Sequence, residues 1–169
     1  MTDSPPSVID IEASGFGRRS YPIEIGYVRG DGRSFCTLVR PSPQWTHWDP
    51  DAERVHGIAR DTLLRHGRDV AEVAARLNAD LAGLTVYCDG WGHDYPWLGA
   101  LFDEAELAPA FRLESVRSLL DEALLAQLPQ LQRDALAELG APRHRASNDA
   151  RALQLAIGRA RGAAALSRA

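Results

Sequence analysis

Asp31-Gly32 is the strongest constraint on the fold of this chain. It joins residues 21–29, where Ile23, Ile25 and Tyr27 alternate with Glu24, Gly26 and Val28, to a second run at residues 34–39. Asp-Gly favours the two-residue turn whose twist matches that of antiparallel strands, so the two runs are predicted to form a hairpin. An apolar run at residues 7–11 precedes them, and the chain is expected to open with a three-stranded antiparallel meander.

A proline-rich loop at residues 40–50 follows, then two short helical pieces at 51–56 and 61–66. Val70, Val73, Ala74, Leu77 and Leu81 recur at helical spacing, with Asp69 placed to cap the helix. Residues 84–88 read as a compact strand, 94–107 as a helix with Pro96 in its first turn, and 111–113 as a last strand. Helices are predicted over 115–125, 129–139 and 148–161, the last one stopped by Gly162. The expected architecture is a single α/β domain over residues 1–169, a mixed sheet flanked by helices, with residues 1–6 and 163–169 as flexible tails.

Composition narrows the classes. The chain is 45% hydrophobic and 25% charged, a balance expected of a globular rather than a disordered protein. No stretch approaches the length of a membrane span and no basic-then-apolar leader opens the chain, so the expected location is the cytoplasm. Cys36 and Cys88 lie far apart in predicted strands, where they read as buried free thiols rather than a disulfide or a zinc site. The formal charge of -4 argues against a broad basic face for duplex nucleic acid. All of the basic residues are arginine.

The stretch VIDIEASGFG places Asp10 and Glu12 two residues apart in a predicted strand, so their carboxylates share one face. Two like charges there repel, and burial adds desolvation, which a hard cation such as Mg²⁺ or Mn²⁺ would relieve. A solvated strand edge is the bland alternative. Near the other end, PRHRASNDARALQLAI carries His144 in a loop and Asp149 in the first turn of a helix, where an acid is also favoured by the helix dipole. The middle segment CDGWGHDYPWLGALF ends a strand at Asp89 and places Asp94 where it would start a helix.

The order of these motifs resembles the DEDDh branch of the DnaQ-like, ribonuclease T-like 3′-to-5′ exonucleases. DIEASGFG is similar to the first motif of that family, PIEIGYV to its second strand, ERVHGI to its VHGI loop, and HRASND to the motif that opens its last helix. The resemblance covers nearly the whole chain and implies a ribonuclease H-like sheet. It implies that Asp10, Glu12, Asp94 and Asp149 hold two Mg²⁺ or Mn²⁺ ions and that His144 is the general base, on a loop suited to swinging inward over substrate. The implied activity is hydrolysis of single-stranded or short RNA or DNA from the 3′ end, releasing nucleoside 5′-monophosphates.

For substrate binding, the resemblance points to Ala13, Ser14 and Gly15 through backbone groups, to Phe16 as a wedge against terminal bases, and to His56 and Ile58 in the VHGI loop. Trp91 is a candidate for base stacking, and Arg143 and Arg145, like Arg18 and Arg19, are candidate phosphate contacts. Trp97 reads as a core residue. The chain departs from the family at Gly90 and His93, where an Asn and a Phe are usual, and Asp89 offers an alternative ligand. Two other readings use the same residues: a weakly catalytic module that holds nucleic-acid ends, and a hydrolase of a small phosphodiester. Compact members of the family often form homodimers, although no long exposed apolar stripe in this chain requires one.

Overall fold

The computed structural model describes residues 4–166, with side chains described through residue 163. Five strands form one sheet: β1 (Ser7–Ala13), β2 (Pro22–Val28), β3 (Ser34–Leu38), β4 (Thr85–Cys88) and β5 (Arg112–Ser115), in the order β3-β2-β1-β4-β5. The hairpin predicted at Asp31-Gly32 pairs β2 with β3, and β1 pairs antiparallel with β2 on one side and parallel with β4 on the other. β5 runs parallel to β4 at the far edge. Six α-helices complete the described residues: α1 (Pro50–His56), α2 (Arg60–His66), α3 (Val70–Leu81), α4 (Trp91–Glu104), α5 (Glu122–Leu139) and α6 (Ala146–Leu166).

The two faces of β1 serve different layers. Ile9 and Ile11 pack with Val73, Leu77, Leu98 and Leu101 of α3 and α4. Val8, on the alternate face, packs with Leu128, Leu153, Ala156 and Ile157 of α5 and α6. Asp10 and Glu12 share the parity of Val8, so strand geometry aims both at the α6 layer. β2 is buried at every position, including Glu24 and Gly26, because helices cover both faces of the central sheet.

Several boundaries differ from the sequence expectations. α4 begins at Trp91 behind a Gly90 cap, so Asp94 lies inside its first turn rather than capping it, and Pro96 falls in the second turn. Residues 115–139 form a short 3₁₀ turn (Val116–Ser118) and one long helix, instead of two helices split before Pro129. There the Asp121 carboxylate caps the helix, and Leu128, Ala135 and Leu136 bury one side of it, which outweighs the hydrogen bond lost at Pro129. α6 passes through Gly162 to Leu166.

Cys36 is exposed rather than buried, because β3 is an edge strand, while Cys88 is buried. Pro6 accepts a hydrogen bond from Gln154 through its carbonyl, which ties part of the expected flexible segment 1–6 to α6. Residues 163–166 belong to α6, and the remainder of both expected tails, 1–3 and 167–169, lies outside the described residues.

Candidate active site

β1 carries Asp10 and Glu12 in the middle of the sheet, where the ladder changes from antiparallel to parallel. Its register with β2 shifts between Glu12 and Ala13, a bulge that ends regular pairing beside the acids. Across from Asp10 stands Gly26, and a Cβ there would lie 2.5 Å from backbone atoms of Ala146 and Ser147. Glycine at this position lets the start of α6 approach β2, which brings Asp149 over the two strand acids.

A cleft of about 170 Å³ is lined by Asp10, Glu12, Asp89, Gln132, Arg143, His144 and Asp149. Glu12, His144 and Asp149 each place a donor atom within 4.8 Å of the other two. Asp10 and Asp94 stand outside that trio but belong to the same electrostatic cluster. Burial raises the pKa of Asp10, and the carboxylates of Asp94, Glu12, Asp89 and Asp149 raise it further. Glu12 is pushed up to about 7, first by burial and then by Asp149, Glu24 and Asp94, with Arg145 opposing. Asp94 also reaches about 7, chiefly through burial, and Asp149 is raised by burial against the opposing hydrogen bond from His144.

Asp94 is 3% exposed, and its Oδ2 has no hydrogen-bond partner. A buried, unpartnered carboxylate oxygen beside other acids is costly in the bare protein. An oxygen-rich set of this kind suits a hard divalent cation, so these residues fit the ions expected from the sequence.

The loop before α6 is held at its backbone. His144 adopts a left-handed conformation, φ 60°, and donates its N–H to Asp149 Oδ2 at 2.8 Å. Asn148 donates its side-chain amide to the Pro142 carbonyl at 2.9 Å. The loop expected to swing over substrate is thus tied to the first turn of the helix it precedes. Arg143 lines the cleft. Arg145 turns to Glu24, which it binds through Nε and Nη2, while its side chain stays 46% exposed.

Other expected contacts are redistributed. The Ser14 backbone is consumed internally: its N–H donates to the Tyr21 carbonyl and its carbonyl accepts from the Asp49 N–H. Both Ser14 backbone groups thus brace the loop itself. Ala13 and Gly15 are buried too, and a Cβ on Gly15 would meet His47 and Asp49 at 2.7 Å, so this glycine serves close loop packing. Ile58 is buried in one cluster with Tyr21, Ile23 and Leu63. His56 accepts the Ile58 N–H at Nδ1, which leaves Nε2 as the protonated nitrogen of the neutral ring, buried and without a partner. Burial lowers its pKa.

Phe16 is 67% exposed, with its ring 5.2 Å from His93 and 6.2 Å from Trp97. Trp97 packs partly against the core, as expected, and donates its indole N–H to Ser20. On the other flank of α4, Trp91 is 42% exposed and its ring lies 4.9 Å from that of Tyr95. Exposed Arg18 and Arg19 follow Phe16 in the same loop.

Sequence reasoning did not single out Tyr95, Gln132 or Glu24. Trp91 and Tyr95 stand four apart on α4, a spacing readable only once the helix start is known. Gln132 donates to Asp89 across the cleft at 2.7 Å, a long-range pairing that no local pattern marks. For Glu24 the available signal was an acid inside an apolar strand, the same signal that marked Asp10 and Glu12.

No family model and no curated protein matches the chain. Among solved structures, exonuclease I from Methylocaldum szegediense superposes with a TM-score of 0.67 at 16% identity, over 92% of this chain and 40% of that one. Escherichia coli exonuclease I in complex with a dA16 oligonucleotide gives 0.67 at 14% identity, over 88% and 38%. The zinc-bound form of the E. coli exonuclease I complex with single-stranded DNA gives 0.68 at 16% identity, over 91% and 39%. The likeness shows a ribonuclease H-like α/β fold, and this chain spans about two-fifths of the length of those proteins.

Proposed function

We propose that this chain is a metal-dependent 3′-to-5′ exonuclease that hydrolyses single-stranded or short nucleic-acid ends to nucleoside 5′-monophosphates. The observation that carries this reading is the acid cluster: Asp10, Glu12, Asp94 and Asp149 are held together with raised pKa values, and one buried oxygen of Asp94 is unpartnered. Such a set is poorly balanced without cations and well suited to holding them. Those four carboxylates would hold two divalent ions, Mg²⁺ or Mn²⁺, and the ions would supply charge stabilisation to a phosphodiester undergoing displacement.

The remaining chemistry falls to the chain's own side chains. A ring nitrogen of His144 lies within 4.8 Å of carboxylate oxygens of Glu12 and Asp149, close enough for ring and carboxylates to share one water. As general base, His144 takes the proton from that water as its oxygen attacks phosphorus. The bond to the 3′ oxygen of the shortened strand breaks, that oxygen takes a proton from solvent, and His144 returns its own proton to solvent. Phe16, with His93 and Trp97 behind it, offers aromatic surface to a terminal base, and Trp91 with Tyr95 offers a second such surface on the opposite flank of α4. Stacking of this kind grips single strands with little regard for sequence. Arg143 meets phosphate at the cleft.

The oligonucleotide complexes of exonuclease I are consistent with a single-stranded substrate for this fold. The test is incubation with 3′-labelled and 5′-labelled oligonucleotides of RNA and of DNA, with Mn²⁺ or Mg²⁺. The expected result is loss of the 3′ label as mononucleotide and a 5′-labelled ladder that shortens with time. Intact strands in the presence of demonstrably bound metal would sink the reading.

A further inference from the structure

Glu24 is 1% exposed and stands directly across the β1–β2 ladder from Glu12. A buried acid so near the cluster would be expected to join it, yet its oxygens are spent elsewhere. Arg145 Nε donates to Oε1 and Oε2 at 3.1 Å each, and Nη2 donates to Oε1 at 2.7 Å. The Ala146 N–H donates to Oε2 at 2.9 Å. The two residues that follow His144 in the chain are thus fastened to one carboxylate on β2. His144 itself is held on its other side by Asp149, in a backbone conformation that side chains disfavour.

We infer that Glu24 is a positioning residue for His144: through Arg145 and the Ala146 N–H it fixes the loop over the acid cluster, and the pairing keeps its own carboxylate out of the metal ligand set. A fork-shaped guanidinium on a carboxylate sets orientation as well as distance, which a single ammonium contact does not. The role in catalysis rests on the reading of His144 as the general base. The structural part of the inference, that Glu24 orders residues 144–146, does not depend on it.

The test compares Glu24→Gln, Arg145→Ala, Arg145→Lys and the Glu24→Gln/Arg145→Ala double variant with the parent protein. Amide hydrogen exchange over residues 143–149, read without substrate, is expected to quicken in each variant, least in Arg145→Lys. With single-stranded oligonucleotide, kcat is expected to fall about 10- to 100-fold in Glu24→Gln and Arg145→Ala, the range usual for groups that orient a reacting residue, with KM within about threefold. Titration should show Mn²⁺ affinity nearly unchanged. The double variant should be no worse than the more severe single one, because both remove the same link. Unchanged exchange overturns the inference whether or not the protein is a nuclease. A raised KM with kcat preserved in Arg145→Ala overturns it in favour of a phosphate contact, and multiplicative losses in the double variant overturn the shared link. Should Glu24→Gln fail to fold, the two Arg145 variants decide the question by the same readings. A parent protein that cleaves no oligonucleotide sinks the nuclease reading and leaves the exchange result standing.

Discussion

At Asp10, burial and four neighbouring carboxylates all disfavour ionisation, yet an ionised group there is what a cation needs. Asp10→Asn removes one of the mutually repelling charges while keeping size and polarity. The metal-free variant is expected to be more stable than the parent at pH 8, by about 0.5–2 kcal/mol in urea unfolding, as is common when a functional site is relieved of strain. Phosphodiester hydrolysis should fall by about a hundredfold or more. Greater stability with full activity would remove Asp10 from the proposed ligand set. At His144, loss of the ring in His144→Ala should lower kcat by roughly 10²- to 10⁴-fold, with the circular dichroism spectrum unchanged. A residual rate near that of the parent would assign the base elsewhere.

At the level of elements, the site depends on how closely α6 lies against β2. Gly26→Ala would place a methyl group 2.5 Å from the Ala146 backbone, and backbone yields less readily than a flexible side chain. Destabilisation of about 1–3 kcal/mol is expected from such overpacking, together with reduced activity as α6 moves off the strand. Thermal melting and initial rates measured on the same preparation check both. The hairpin, the order of elements and the acids on β1 were legible in sequence, because turn chemistry and the period-two pattern are local. The start of α4 and the unbroken α5 were not. Gly90 caps α4 without a side-chain hydrogen bond, and Pro129 reads as a break although tertiary packing carries the helix through it. Asp10, Glu12, Asp149 and His144 could be listed from motifs, but the engagement of Arg145 by Glu24 could not. That contact joins residues far apart in sequence, and the pattern shows only an exposed-looking arginine next to a histidine.

For the whole molecule, the carboxyl groups set how stability responds to pH. Burial and neighbouring charge push Glu12 and Asp94 up to about 7 in the folded chain, from ordinary values of 4.5 and 3.8, so between about pH 4 and 7 the folded state holds protons that the unfolded state has released. Their contribution to stability is therefore fully present at the low end of that window and is lost as pH rises through the folded values. Metal-free protein should melt at a lower temperature at pH 8 than at pH 5.5 as far as these groups govern it. Mn²⁺ should raise the melting temperature more at pH 8, because protons no longer compete with it. An equal or smaller metal shift at pH 8 would argue that the ion binds elsewhere.

The site also joins distant parts of the polypeptide: Asp10 and Glu12 come from the first strand, Asp149 from the last helix, and neither set approaches completeness alone. On the ribosome the strand acids emerge well before their partners, separated by roughly 7 to 30 seconds of elongation at ordinary rates. On the proposed reading, a chain that stops before residue 144 carries Asp10, Glu12 and, once past residue 94, Asp94, but neither His144 nor Asp149. The proposed nuclease site is therefore completed only after α6 has been synthesised and has docked against the sheet.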